Sequence, residues 1–116
     1  MFIGWYIPGV LSETGVVGSN IDKEYIMDRD YMPSVLHLRL KTLPEPDGEP
    51  LTIDINCDGE SIFPNEKPIL VRGDEDYKDW TNKVLKKDSV VTLDIDQVSP
   101  TTPGKDLTVQ LDLEEV

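Results

Sequence analysis

The sequence predicts an all-β protein, an antiparallel β-sandwich of about seven or eight short strands. The clearest sign is an alternation of apolar and polar residues, which runs from Val91 to Ile95 and again from Leu107 to Leu113. Alternation with a period of two is typical of a strand with one buried face and one wet face. The prolines between the two runs have no N–H to give to a sheet, so the runs form a long antiparallel hairpin or two separate sandwich strands.

Turn-forming residues give a second sign of the same fold class. They recur about every 8–12 residues, which is the spacing expected of a β-sandwich or barrel. No alternation of strand and helix patterns supports an α/β fold. The chain of 116 residues has the length of one domain, so residues 1–116 are predicted to form a single sandwich.

The chain is strongly acidic. Eleven basic and 23 acidic residues give a formal net charge of −12. Nucleic acid and anionic membrane are therefore unfavourable partners, because phosphate binding depends on clustered Lys and Arg. The acidic surface serves solubility, or it binds a cation or a basic partner. No run approaches the roughly 18 apolar residues of a membrane span, and the apolar N-terminus lacks the basic region of a signal peptide.

Cys57 is the only cysteine, so no disulfide can form within the chain. It lies on the apolar phase of a strand pattern, and we expect it to be a small buried hydrophobic residue. A fold without disulfides belongs to a reducing compartment or gains stability from its partners.

The N-terminal residues are apolar and aromatic. Phe2, Trp5 and Tyr6 precede Pro8 and Gly9, a pattern that predicts a strand followed by a turn. Such a strand belongs to the core of the sandwich, or it is an arm that lies on a neighbouring subunit. Because exposed aromatic side chains anchor interfaces, Phe2, Trp5 and Tyr6 are the residues that we expect to bind a partner.

The middle of the chain contains further strand patterns, at Glu24–Met27, Pro33–Leu43, Leu51–Cys57 and Lys67–Val71. The polar face of the second pattern carries the one basic stripe of the chain, formed by His37, Arg39 and Lys41. Asp58 and Gly59 follow the third pattern, and this pair favours a type I′ hairpin turn with Ser61–Phe63 as the returning strand.

The segment Arg72–Lys87 has two interpretations. Tyr77, Trp80 and Val84 have the spacing of a helical stripe. The neighbouring patterns are all strands, so a short strand followed by a turn fits equally well. The segment begins with Arg72–Asp74, the tripeptide that cell-adhesion receptors recognise, although turn chemistry is a sufficient explanation for Gly-Asp.

One motif resembles part of a calcium site. Asp54, Asn56 and the pair Asp58–Gly59 match the opening of an EF-hand loop. The twelfth position is Asn65 instead of a bidentate Glu, Pro64 interrupts the loop, and no helix pattern flanks it. We therefore interpret Asp54 and Asn56 as the wet face of a strand.

No set of residues predicts catalysis or metal binding. His37 is the only histidine, and a catalytic triad or a histidine base would have to use it, but it lies mid-strand on a polar face. One Cys and one His cannot make a zinc site. The acidic pairs Asp94/Asp96 and Asp112/Glu114 repeat with the polar phase of their strands, which places them on solvent faces. We expect no catalytic residue, no cofactor and no metal.

Two segments go beyond generic alternation. Leu51–Phe63, LTIDINCDGESIF, looks like the D-[VI]-N-x-[ND]-G-x-S-I-F strand–turn–strand of a widespread group of tailed-phage virion domains. Val90–Leu111, in which DQV is followed by a Pro-Gly turn and DLTVQ, is similar to the closing segment of that group, with Ser99 where the group has glycine. The resemblance covers Pro33–Leu113. It implies a small β-sandwich of jelly-roll type, as in phage head, tail and fibre proteins, and it implies no catalytic residues.

The resemblance also implies a function. It points to a non-enzymatic virion structural protein, a capsid decoration or cement subunit that binds the lattice of the major capsid protein or other virion proteins. Such a protein needs a rigid, soluble sandwich and one surface that matches a repeating lattice, and we expect a homo-oligomer such as a trimer. It would be made in the host cytoplasm and located in the virion, on the capsid surface or the tail.

A second hypothesis is a receptor- or carbohydrate-binding module of a tail or fibre. Sugar sites need aromatic platforms beside acidic or amide groups, which Tyr77 and Trp80 with Asp76 and Asp79 could supply. Decoration predicts that the N-terminal aromatic residues are buried against another chain, whereas sugar binding predicts Tyr77 and Trp80 exposed on a loop.

Overall fold

A computed structural model describes residues 1–11, 24–42, 50–64, 66–70, 74–78, 80, 83–98 and 104–116. These residues form strands and no helix, which confirms the predicted all-β class. The strands are β1 (Phe2–Val10), β2 (Tyr25–Ile26), β3 (Tyr31–Thr42), β4 (Leu51–Cys57), β5 (Glu60–Ser61), β6 (Ile69–Leu70), β7 (Asp74–Tyr77), β8 (Val90–Gln97) and β9 (Lys105–Glu115).

The strands form two antiparallel sheets that pack as a sandwich. Sheet A has the order β1-β9-β3-β7, and sheet B has the order β2-β8-β4-β5, with β6 also paired to β4. The last two strands lie in different sheets, β8 between β2 and β4 and β9 between β1 and β3. Of the two arrangements that the sequence left open, the pair of sandwich strands is therefore correct.

The core lies between the inward faces of the two sheets. Alternate residues supply it, as the period-two patterns predict, and the central members are Leu36, Leu38, Leu40, Ile53, Ile55, Val91, Leu93, Ile95, Leu107, Val109 and Leu111. Removing each such side chain from water stabilises the fold by roughly 1.5–3 kcal/mol. A slip of one residue would expose a whole apolar row, so this burial fixes the register of the long strands.

β1 is a strand of this chain's own sandwich. It pairs with β9 over Phe2–Ile7, and Ile3 and Trp5 are buried in the core. The turn predicted at Pro8 and Gly9 is instead an irregularity within the strand, where Gly9 adopts a φ of 79° and the register with β9 shifts. The N-terminal segment is therefore an edge strand of sheet A.

A tight turn joins β4 to β5, as predicted from its sequence. Both turn residues have positive φ, 51° for Asp58 and 84° for Gly59, which is the backbone signature of a type I′ turn. Asp58 also binds the turn to β8, because its backbone N–H donates to the Val90 carbonyl oxygen at 2.9 Å and its Oδ1 accepts from the Val90 N–H at 2.9 Å.

Residues 72–87, for which the sequence left a helix or a short strand open, contain a strand. β7 pairs with β3, and Tyr77 lies opposite Leu36. No helix occurs among its described residues. Tyr77 and Trp80, whose spacing suggested a helical stripe, instead meet at the side chain of Phe63.

Some predictions are corrected, and others fall outside the described residues. Cys57 is half-buried at the margin of the core, because it is the last residue of β4 and adjoins the turn. Asn65, Arg72–Gly73 and Asp79 lie outside the described residues. None of the described segments is an apolar helix long enough to cross a membrane.

Candidate functional site

Alternate residues of sheet A point away from the core and form one surface, which we call the outer face of sheet A. Its members are Phe2, Gly4 and Tyr6 of β1, Thr108, Gln110 and Asp112 of β9, His37, Arg39 and Lys41 of β3, and Asp74 and Asp76 of β7. The register places Phe2 opposite Asp112 and Tyr6 opposite Thr108, so the aromatic side chains border the polar middle of the face.

The three residues predicted to bind a partner divide between the two sides of β1. Phe2 and Tyr6 are each 61 % exposed on the outer face. Trp5 is only 3 % exposed, because it lies on the opposite phase of the strand and packs edge-on against Tyr25 with ring centroids 5.3 Å apart. Trp5 therefore anchors β1 to the core, and only Phe2 and Tyr6 are accessible to a partner.

The free edge of β1 is partly closed by a side chain of sheet B. The Tyr25 hydroxyl donates to the Gly4 carbonyl oxygen at 2.5 Å and accepts from the Gly4 N–H at 3.3 Å. These two contacts occupy backbone groups that a second strand would otherwise use. Pairing of a second strand with the middle of this edge is therefore disfavoured, whereas the side chains of the outer face stay accessible.

His37 lies in the middle of the outer face, between two carboxylates. Its Nδ1 is 3.0 Å from Asp76 Oδ1 on β7, and its Nε2 is 3.0 Å from Asp112 Oδ2 on β9. The hydrogen bond with Asp112, followed by that with Asp76, raises the pKa of His37 above its ordinary value. Arg39 approaches the same Asp76 oxygen at 3.2 Å, and His37 and Arg39 together lower the pKa of Asp76. Three strands of sheet A are thereby joined through one imidazole.

A second polar cluster lies on the outer side of sheet B and was not predicted. Asp54 of β4 stands directly opposite Asp94 of β8, an arrangement of like charges that is unfavourable unless it is compensated. Lys67 supplies the compensation, because its Nζ lies 2.6 Å from Asp96 Oδ2 and 3.3 Å from Asp54 Oδ2. Burial, then Asp96 and Asp54, raise the pKa of Asp94.

The prediction that Asp54 is exposed to solvent is wrong. Asp54 is only 5 % exposed, because Ser61 at the end of β5 and Lys67 between β5 and β6 contact its carboxylate. Ser61 Oγ donates to Asp54 Oδ1 at 2.6 Å, and Lys67 contacts its other oxygen. The Lys67 ammonium thus balances the charge of the Asp54 carboxylate. Among the residues that the structure describes, no group of three or more His, Cys, Asp or Glu could hold a metal ion.

The aromatic residues proposed for sugar binding pack against one another. Phe63 and Trp80 stack at 5.5 Å, and Tyr77 meets both rings edge-on at 5.1 and 4.8 Å. The Trp80 indole N–H donates to the Ser34 carbonyl oxygen at 2.8 Å. Tyr77 and Trp80 are half-buried, and Asp76 lies on the other side of β7 beside His37. The structure thus brings the two rings together but separates them from Asp76.

Comparisons with family models, with curated proteins and with solved structures find no match for this chain. A functional assignment therefore depends on the geometry of the two faces described above and on the resemblance of the sequence segments.

Proposed function

We propose that this chain is a non-enzymatic structural protein of a tailed-phage virion. In this proposal it is a capsid decoration or cement subunit of jelly-roll type, which binds the major capsid protein lattice as a homo-oligomer such as a trimer. The observation that carries the proposal is the pair of exposed aromatic side chains, Phe2 and Tyr6, on the outer face of sheet A. The two sequence segments that resemble phage virion domains supply the biological context.

The composition of β1 supports a docking role for this face. No Asp, Glu, Lys or Arg occurs in residues 1–11, although 29 % of the chain is charged. Aromatic side chains on a strand without charged residues fit the composition of interface centres, which are enriched in aromatic residues and depleted of charge. A depression of about 310 Å³ beside Tyr6, lined also by Arg39, Lys41 and Thr108, adds polar groups at the margin of the aromatic pair.

The rigidity of β1 supports the same role. Its pairing with β9 and the burial of Trp5 hold Phe2 and Tyr6 on a strand whose position is set by the core. Phe2 and Tyr6 are four positions apart along the strand, which separates them by about 13 Å. Fixed anchors lose little conformational freedom on binding, which favours attachment to a lattice that repeats the same geometry.

Cosedimentation with particles assembled from the corresponding major capsid protein alone tests the proposal. We expect saturable binding at a fixed ratio to capsomers, and an unrelated acidic protein of similar size should stay in the supernatant. Failure of the folded protein to bind at any concentration would contradict capsid decoration.

The alternative, a carbohydrate-binding module of a tail or fibre, has less support. The Tyr77 and Trp80 rings are half-buried and pack with Phe63, whereas a sugar platform needs an open ring face. A glycan array with the wild-type protein and Trp80→Ala distinguishes the two functions. Binding that disappears in a folded Trp80→Ala variant would favour the alternative.

A further inference from the structure

The contacts of His37 require a particular protonation state. Both ring nitrogens lie 3.0 Å from carboxylate oxygens, which only accept hydrogen bonds when ionised. A neutral imidazole has one N–H, so its other nitrogen would face a carboxylate lone pair. Both contacts are hydrogen bonds only when the ring carries two N–H groups, as in the imidazolium ion.

We propose that His37 is a proton switch for the outer face of sheet A. Protonated, it clamps β7 and β9 to β3 through Asp76 and Asp112. Deprotonated, it releases one of the two carboxylates and leaves this face more acidic. The consequence for docking rests on the proposed function, whereas the clamp itself does not.

The charged groups around the ring favour the clamped state. Asp76 faces it from β7 and Asp112 faces it from β9, where Gln110 also donates to Asp112 Oδ1 at 3.0 Å. Arg39 of β3 pairs with Asp76, and the ammonium of Met1, which precedes β1, acts on Asp112. Asp74 lies one row further along, opposite Arg39. Both groups in contact with the ring are carboxylates, whereas the guanidinium and the ammonium pair with or act on those carboxylates, so the surroundings favour the positively charged ring.

The pH range of the clamp follows from the directions of the shifts. The pKa of His37 is raised, so the clamp is complete below the ordinary histidine value and is lost as the pH rises through the raised value. Hydrogen bonds from Gln110 and then His37 lower the pKa of Asp112, and His37 and then Arg39 lower that of Asp76. At the acid end, the clamp is therefore lost only as the pH falls through these lowered values.

The switch acts on the proposed docking surface because Asp112 lies directly opposite Phe2. A partner that covers Phe2 also removes Asp112 from water. A carboxylate whose charge is balanced by an imidazolium loses less by this desolvation than one beside a neutral imidazole. Docking should therefore be tighter when His37 is protonated.

The first test is a ¹⁵N NMR titration of the free 116-residue chain, in which the single histidine gives an unambiguous signal. We expect two protonated ring nitrogens at pH 6 and a pKa above the ordinary 6.5. Asp112→Asn and Asp76→Asn should each lower that pKa. Glu114→Gln, two residues further along β9, is the matched control and should lower it much less. A single ring N–H at pH 6, or a pKa at or below 6.5, would overturn the clamp.

The second test measures particle binding between pH 6 and pH 9 for the wild type and for His37→Gln. Above the pKa of His37, wild-type affinity should fall by up to about tenfold per pH unit, since one proton is linked to binding, while the variant should show no such dependence. Equal pH dependence in both proteins would overturn the effect on docking. Absence of binding at every pH, with His37 titrating as expected, would support the clamp and overturn the proposed function instead.

Discussion

Single residues on sheet B show how the fold tolerates carboxylates in close register. Asp54 and Asp94 stand opposite each other, and Lys67 spans from Asp54 to Asp96. Asn56 Nδ2 donates to Asp94 Oδ2 at 2.5 Å, so that carboxylate has a partner as well. The cluster is thus compensated by local contacts, and Asp94 has the least favourable position because its pKa is raised by burial and by its acidic neighbours.

Replacing Asp94 by Asn should stabilise the protein at pH 7. A pKa raised in the folded state means that stability falls as the pH rises from 3.8 through the raised value, so the ionised form of Asp94 opposes folding at pH 7. Removing one of two opposed charges should raise the free energy of unfolding by about 0.5–1 kcal/mol. Urea denaturation at pH 7 and pH 3 measures the effect, which should disappear at the lower pH. A loss of stability at pH 7 would show that the charge is needed.

The side chain of Trp80 should stabilise the fold. Its ring stacks on Phe63 and its indole N–H donates to Ser34, so Trp80→Ala should cost about 2–3 kcal/mol, below the range for a fully buried tryptophan because the ring is half-buried. Tyr6→Ala, at a residue 61 % exposed, is the control and should cost less than about 0.5 kcal/mol. Thermal and urea unfolding measure both. Equal stability of Trp80→Ala and the wild type would contradict the structural role.

Among the strands, the alternating patterns predicted which residues face inward but could not predict which strands pair. The patterns of β8 and β9 suit a hairpin as well as two sheets, because alternation is local and pairing is not. In β1 both phases are apolar, so the sequence could not show that Trp5 is buried while Phe2 and Tyr6 are exposed. The polar contacts could not be predicted for the same reason, because their partners are far apart in the sequence.

The unpredicted contacts of the candidate sites join distant parts of the chain. His37 meets Asp76 and Asp112 across 39 and 75 residues of sequence. Asp54 is buried because a segment beyond the next turn covers it, whereas the alternation alone assigns it to solvent. On the clearly alternating strands the inward and outward phases were therefore predictable, whereas the burial of Asp54 and the partners of the polar residues were not.

Tyr25 should stabilise β1 and protect its free edge from pairing with a second molecule. Tyr25→Phe removes the hydroxyl that serves both backbone groups of Gly4, so the free energy of unfolding should fall by about 1 kcal/mol. The opened edge should also allow self-association, which sedimentation velocity would detect as a rise in mass with concentration. A variant with wild-type stability and wild-type sedimentation would contradict the closing role of Tyr25.

The molecule as a whole presents two unlike faces. On sheet A, an uncharged strand with two exposed aromatic side chains borders the His37 clamp. On sheet B, the outward side carries carboxylates held by Lys67. In a chain with a net charge of −12, electrostatic repulsion from another acidic molecule should be weakest beside the strand without charged side chains, which supports the proposed docking through the β1 side of sheet A.

The binding of two double variants to particles of the major capsid protein tests docking through sheet A most directly. One carries Phe2→Ser and Tyr6→Ser on sheet A, and the other carries Ile26→Ser and Ile69→Ser, which remove exposed apolar side chains from sheet B. All four side chains are exposed, so both proteins should fold. We predict that the first variant binds about 30-fold or more weakly, since two anchors worth at least about 1 kcal/mol each are lost, and that the second binds like the wild type. The reverse order would contradict docking through sheet A.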